Sequence, residues 1–121
     1  MKKLSKHMNM LLPLVWMGGI FWLSSTPDLA TELPPLWDFV LRKIGHAAAF
    51  GVLAVLWLRA LPSGWSAKQR YGVAATIAVL YAMSDEYHQT FTLGRIGTWT
   101  DALIDSWGVL IFLGLAKRSK M

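Results

Sequence analysis

Residues 8–27 read MNMLLPLVWMGGIFWLSSTP, twenty positions without one charged side chain. At about 1.5 Å of rise per helical residue such a run covers about 30 Å, the depth of a bilayer's hydrocarbon core. A chain of 121 residues folded in water has too little interior to hide it, because 55% of the residues are hydrophobic and seven are tryptophan. The mean hydropathy of +0.41 points the same way. Lys2, Lys3 and Lys6 precede the run as they would a signal peptide. Its apolar part is long for such a peptide, however, and Pro27 falls where cleavage would be awkward, so the segment is expected to be retained.

Three further apolar stretches follow, at about 44–61, 71–91 and 98–116. The expected fold is therefore all-α: one domain over 1–121, a four-transmembrane-helix bundle with both termini cytoplasmic. With that orientation Lys2, Lys3, Lys6, Arg59, Lys68, Arg70, Lys117, Arg118 and Lys120 lie inside, and Arg42, Lys43 and Arg95 lie outside. Nine of twelve basic residues inside is what the positive-inside rule expects of a plasma-membrane protein. It also accounts for the net charge of +5 without nucleic acid, because these residues flank spans rather than form a patch. Pro34 and Pro35 break the connection after the first span, and residues 36–41 are expected to form a short, separate interfacial helix with Trp37 at headgroup depth. Pro62, Ser63 and Gly64 punctuate the loop 62–70. The chain has no cysteine, hence no disulfide and no thiol chemistry.

All seven acids fall on or toward the outer side. Acids weigh little in orienting spans, so something other than topology placed some of them there. Residues 71–84 carry no acid, lysine, arginine or histidine, and then come Asp85, Glu86, His88 and Gln89. Fourteen residues rise about 21 Å, which puts Asp85 about two-thirds of the way to the outer face. His46 opens the second span, and Asp101 and Asp105 lie one and two turns into the fourth. Three helices thus bring polar groups to one level. Asp85, His88 and Gln89 share a face with Glu86 at its flank; Asp101, Asp105 and Gly108 share another. Glycine at 108, and at 45 and 51 on the second span, would let helices approach closely. An acid near a helix centre costs roughly 2.5–3.5 kcal/mol against lipid, so these groups are expected to wall an outward-open polar cavity. The tryptophans are expected in interfacial belts and in packing.

Two carboxylates and a histidine suit acid–base work, histidine can also be a nucleophile, and arginine can hold phosphate through a bidentate fork. Lys43, Gln89, Arg95 and Asp105 are the expected substrate and phosphate contacts; His46, Asp85, Glu86, His88 and Asp101 are the expected catalytic set. Proton- or ion-coupled transport is a weaker fit, because residues 71–84 offer no continuation of a path. No cofactor is expected. The carboxylates and histidines are compatible with a divalent cation, but the run from Asp85 to His88 is not a zinc-helix motif, because no two histidines sit at i, i+4.

KIGHAAAFGVLAVL at 43–56, followed by SDEYHQTFTLGRIGTWTDALIDSWGVLIFLG at 84–114, resembles the VanZ-like family. Similar features are the Lys/His opening of one span, an Asp-Glu-x-His-Gln-x-Phe run, a Gly-Arg loop, and an aspartate and a glycine in the last span. FWLSSTP at 21–27 is similar as well. The resemblance implies a small bacterial multi-pass membrane protein, grouped with enzymes that exchange lipid head groups and named after a member linked to resistance to the glycopeptide teicoplanin. Carried over by position, it implies roles for Lys43, His46, Asp85, Glu86, His88, Gln89, Arg95 and Asp101. Two positions depart from its pattern: Arg42 stands where the family usually has an acid, and Asp105 where it usually has asparagine. Membrane lipids or a lipid-linked substrate are the implied partners, and whether the pocket catalyses or only binds is left open.

Overall fold

A computed structural model describes residues 6–25, 35–89 and 99–118. These form four helices: α1 Lys6–Ser25, α2 Pro35–Ala60, α3 Ala67–Gln89 and α4 Trp99–Arg118. Among the described residues there is no strand. The all-α expectation therefore holds, with each helix within a few residues of its apolar run except at the start of α2. There the expected separate interfacial piece at 36–41 is a correction: it is the first part of one 26-residue helix. Nothing between Leu41 and Ile44 breaks a helix. The break lies before it, and Pro35 takes the first helical position, where its missing N–H costs nothing. α3 also starts earlier than its apolar run. Ser66 Oγ accepts from Gln69 N at 3.1 Å and Gln69 Oε1 accepts from Ser66 N at 3.0 Å, a reciprocal cap that fixes the helix start.

Val40–Ala60 is long and apolar enough to cross a bilayer. The apolar part of α1, Met8–Leu23, is shorter. α3 and α4 do not qualify by the same measure; each carries charged side chains at both ends, and one of those ends is where the candidate site lies.

α2 is the central helix. It touches each of the others, α4 most extensively, while α1 rests on α2 and α3. Pairings fix the directions. His46 meets Asp85, and Phe50 meets Tyr81, so α3 runs antiparallel to α2. Trp16 Nε1 donates to Ala49 O at 2.9 Å, and Phe21 stacks on His88, so α1 runs with α3. α4 runs with α2, and here the backbones nearly touch. A Cβ on Gly108 would lie 2.1 Å from Ala47 O, and one on Gly51 would lie 2.8 Å from Gly108 O and 2.5 Å from the Phe112 ring. Gly108 and Gly51 thus do what their positions suggest. Gly45 does not, because a Cβ there would meet nothing within 4 Å.

The core is small and close-set. Ala74, Ala78 and Ala82 form a one-turn-spaced stripe on α3 against Phe50, Leu53, Ala54 and Leu58 of α2, with Val109, Leu113 and Ala116 from α4. Large apolar side chains point outward instead: Trp22 and Trp107 are each 66% exposed, and Leu103 is 65% exposed.

Candidate functional site

The buried polar and charged side chains among the described residues are three carboxylates: Asp85, Glu86 and Asp105. Register explains their meeting. Ala47 lies against Gly108, so Asp105, three residues before Gly108, is level with Ile44. His46 lies against Asp85, two residues further along α2. The three helices therefore bring His46, Asp85 and Asp105 within about one helical turn of a common level.

His46 Nδ1 is 3.9 Å from Asp85 Oδ2, with the histidine side chain 28% exposed and the aspartate 2%. That separation suits an ion pair and is too long for a direct hydrogen bond. Glu86 was expected at the flank and is as buried as Asp85. α3 lies against both α2 and α4, so two adjacent positions about 100° apart are covered together. Tyr87, the next residue, faces out. Asp105 is 1% exposed, and its Oδ2 is sealed from solvent. Lys43, one turn before His46 on α2, is half-buried.

His88 points elsewhere. Its ring lies against Phe21 of α1, with centroids 4.4 Å apart and planes tilted by 31°. The structure thus gathers His46 and Asp85 between α2 and α3 and places His88 at the α1 side of α3. Gln89 and Asp101 fall within α3 and α4, but their side chains lie outside the described residues, as does Arg95 altogether. Among the described residues no three His, Asp or Glu side chains are grouped to hold a metal.

Sequence reasoning missed the groups beneath the pair. Phe50, one turn inward from His46, is 6.3 Å from it ring to ring and 6.1 Å from Tyr81. Tyr81, one turn inward from Asp85, donates its hydroxyl to Met17 O at 2.5 Å. These aromatics form a floor under the polar level, and the hydroxyl ties α3 to α1. The i+4 and i−4 spacing from His46 and Asp85 was the available signal. Trp16, expected as a belt or packing residue, bridges helices through Ala49.

Fold and site together define a small all-helical protein with apolar flanks and a carboxylate–histidine group at one end of the bundle. The family model described as VanZ/LLP1 matches residues 1–120, and the chain belongs to that family. No curated protein and no solved structure matches it.

Proposed function

We propose that the chain is a multi-pass protein of the bacterial plasma membrane that acts on a lipid or lipid-linked head group from a polar pocket open to the outer leaflet. One observation carries the reading: large apolar side chains cover the outside of the bundle while carboxylates are buried at one end of it. Among the described residues the buried charges are Asp85, Glu86 and Asp105, while Trp22, Trp107 and Leu103 face outward. In water such an apolar surface is an aggregation hazard. Against acyl chains it is the stable arrangement, and the carboxylates are kept from lipid by neighbouring helices.

With Nδ1 of His46 turned to Asp85, Nε2 is the nitrogen that this reading directs at substrate. In this reading Asp85 orients the imidazole, and His46 takes a proton from an incoming hydroxyl as it attacks phosphorus. The imidazolium then returns that proton to the departing head-group oxygen. Lys43 and Arg95 hold the phosphate, Glu86, Gln89, Asp101 and Asp105 complete the lining, and His88, turned against Phe21, borders it on the α1 side. Transport is disfavoured because the core between the two ends of the bundle, Leu53, Ala54, Ala74 and Ala78, offers no titratable side chain to continue a path. An effect on envelope integrity or glycopeptide sensitivity would follow from altered lipid-linked intermediates.

The test is purified protein incubated with labelled phospholipids and with labelled polyprenyl phosphates, wild type beside His46→Ala, Glu86→Gln and His88→Ala. Head-group exchange in wild type, lost in His46→Ala, is the expected result. If neither lipid class is altered, the enzyme reading fails. Saturable lipid retention that survives Glu86→Gln would then favour a non-catalytic binder of a lipid-linked precursor or antibiotic.

A further inference from the structure

We propose that the end of the bundle opposite His46 and Asp85 carries a second site, which binds an anionic phospholipid of that leaflet. It rests on the membrane-embedded reading above and on no chemistry at the first site. Three helices bury polar atoms there that meet no hydrogen-bond partner among the described residues: Asn9 Oδ1 of α1, Trp57 Nε1 of α2 and Arg70 Nε of α3. They share a neighbourhood. Arg70 Nη2 donates to Leu58 O at 3.1 Å, so the guanidinium lies against the last turn of α2, beside Trp57. Trp16 on Ala49 sets the antiparallel register of α1 and α2. Two turns back along α1 and two turns onward along α2 come Asn9 and Leu56, so Asn9 is about level with Trp57.

A buried water would satisfy some of these atoms. Charge argues for an anion. Arg59, Lys68, Lys117 and Arg118 stand at the same end of the bundle, and the acids of the described helices, Asp38, Asp85, Glu86, Asp101 and Asp105, lie toward the other. Basic pockets between membrane helices at this depth take phospholipid phosphates. The start of α3 is not the attraction, because the Ser66–Gln69 cap already serves it. Arg70 Nε–H and Trp57 Nε1–H supply two donors for the phosphate oxygens. Asn9 Oδ1 accepts, so it needs a donor from the head group, and a glycerol hydroxyl provides one. Phosphatidylglycerol meets all three demands. Phosphatidylcholine is neutral overall, and its quaternary ammonium donates no hydrogen bond.

The full chain is purified in detergent with equimolar phosphatidylglycerol and phosphatidylcholine, and retained lipid is counted by native mass spectrometry. Phosphatidylglycerol should be retained about fivefold or more over phosphatidylcholine, the factor one basic residue at a membrane surface confers. Arg70→Gln and Trp57→Phe should each lower that preference several-fold, and inorganic phosphate should not displace the lipid. Arg70→Gln also removes the bond to Leu58, whereas Trp57→Phe leaves that bond in place and separates lipid binding from loss of fold. Equal retention of the two lipids by wild type, or a preference unmoved in both variants, overturns the proposal. So does displacement by phosphate alone, which would mark a phosphate site rather than a lipid site. A chain that stays monodisperse without detergent and holds no lipid would instead sink the membrane reading itself.

Discussion

Replacing Gly108 by alanine tests the closest contact in the bundle. The new Cβ would sit 2.1 Å from Ala47 O, 2.6 Å from its carbonyl carbon and 2.9 Å from its Cα. All three atoms are backbone, so no side chain can rotate aside, and α2 and α4 must part by about 1 Å. Overpacking of this kind costs about 1–3 kcal/mol, and a clash with three backbone atoms belongs at the upper end. Alanine recovers up to about 1 kcal/mol of helix propensity over glycine. The net loss is about 2 kcal/mol, roughly a thirtyfold change in the folding equilibrium. Gly114→Ala and Gly45→Ala are matched controls, because a Cβ at either meets nothing within 4 Å. Gly51→Ala should fall between, since the Phe112 ring can turn but the Gly108 carbonyl, 2.8 Å away, cannot. Equilibrium unfolding in mixed micelles, followed by tryptophan fluorescence, gives the ranking. A Gly108→Ala protein as stable as Gly114→Ala would refute the reasoning.

Tyr81→Phe removes the hydroxyl that α3 donates to Met17 O and should cost about 1 kcal/mol in the same unfolding assay, with α1 loosening first by amide hydrogen exchange. Ser66→Ala deletes one half of the α3 cap and should also cost about 1 kcal/mol, while leaving lipid exchange at the far end unchanged.

The helices were legible because long, mostly apolar runs bounded by prolines, glycines and charges leave few alternatives, and Asp85, Asp105 and His46 were legible because acids and histidine stand out in them. The start of α2 was not. Residues 36–41 carry polar and apolar side chains alike, and only the absence of a breaker before Ile44 shows that the helix continues. Glu86 was assigned to a flank because helical periodicity describes one helix at a time. Its burial follows from α3 lying against two neighbours, a property of the packing. The same holds for Phe21 on His88 and Tyr81 on Met17, whose partners are more than sixty residues away in the chain. Gly45, Gly51 and Gly108 looked alike in sequence, and only the α2–α4 crossing point distinguishes the two that matter.

Because the chain has no cysteine, single replacements report cleanly on where the polar end lies. The most direct measurement places cysteine at His46 and, separately, at Lys68, and labels each with a membrane-impermeant maleimide in right-side-out and inverted vesicles. Position 46 should react only from the exterior and position 68 only from the cytoplasmic side. Labelling of both positions from the same face, or a position 46 that neither face can reach, would contradict an outward-open pocket built around His46 and Asp85.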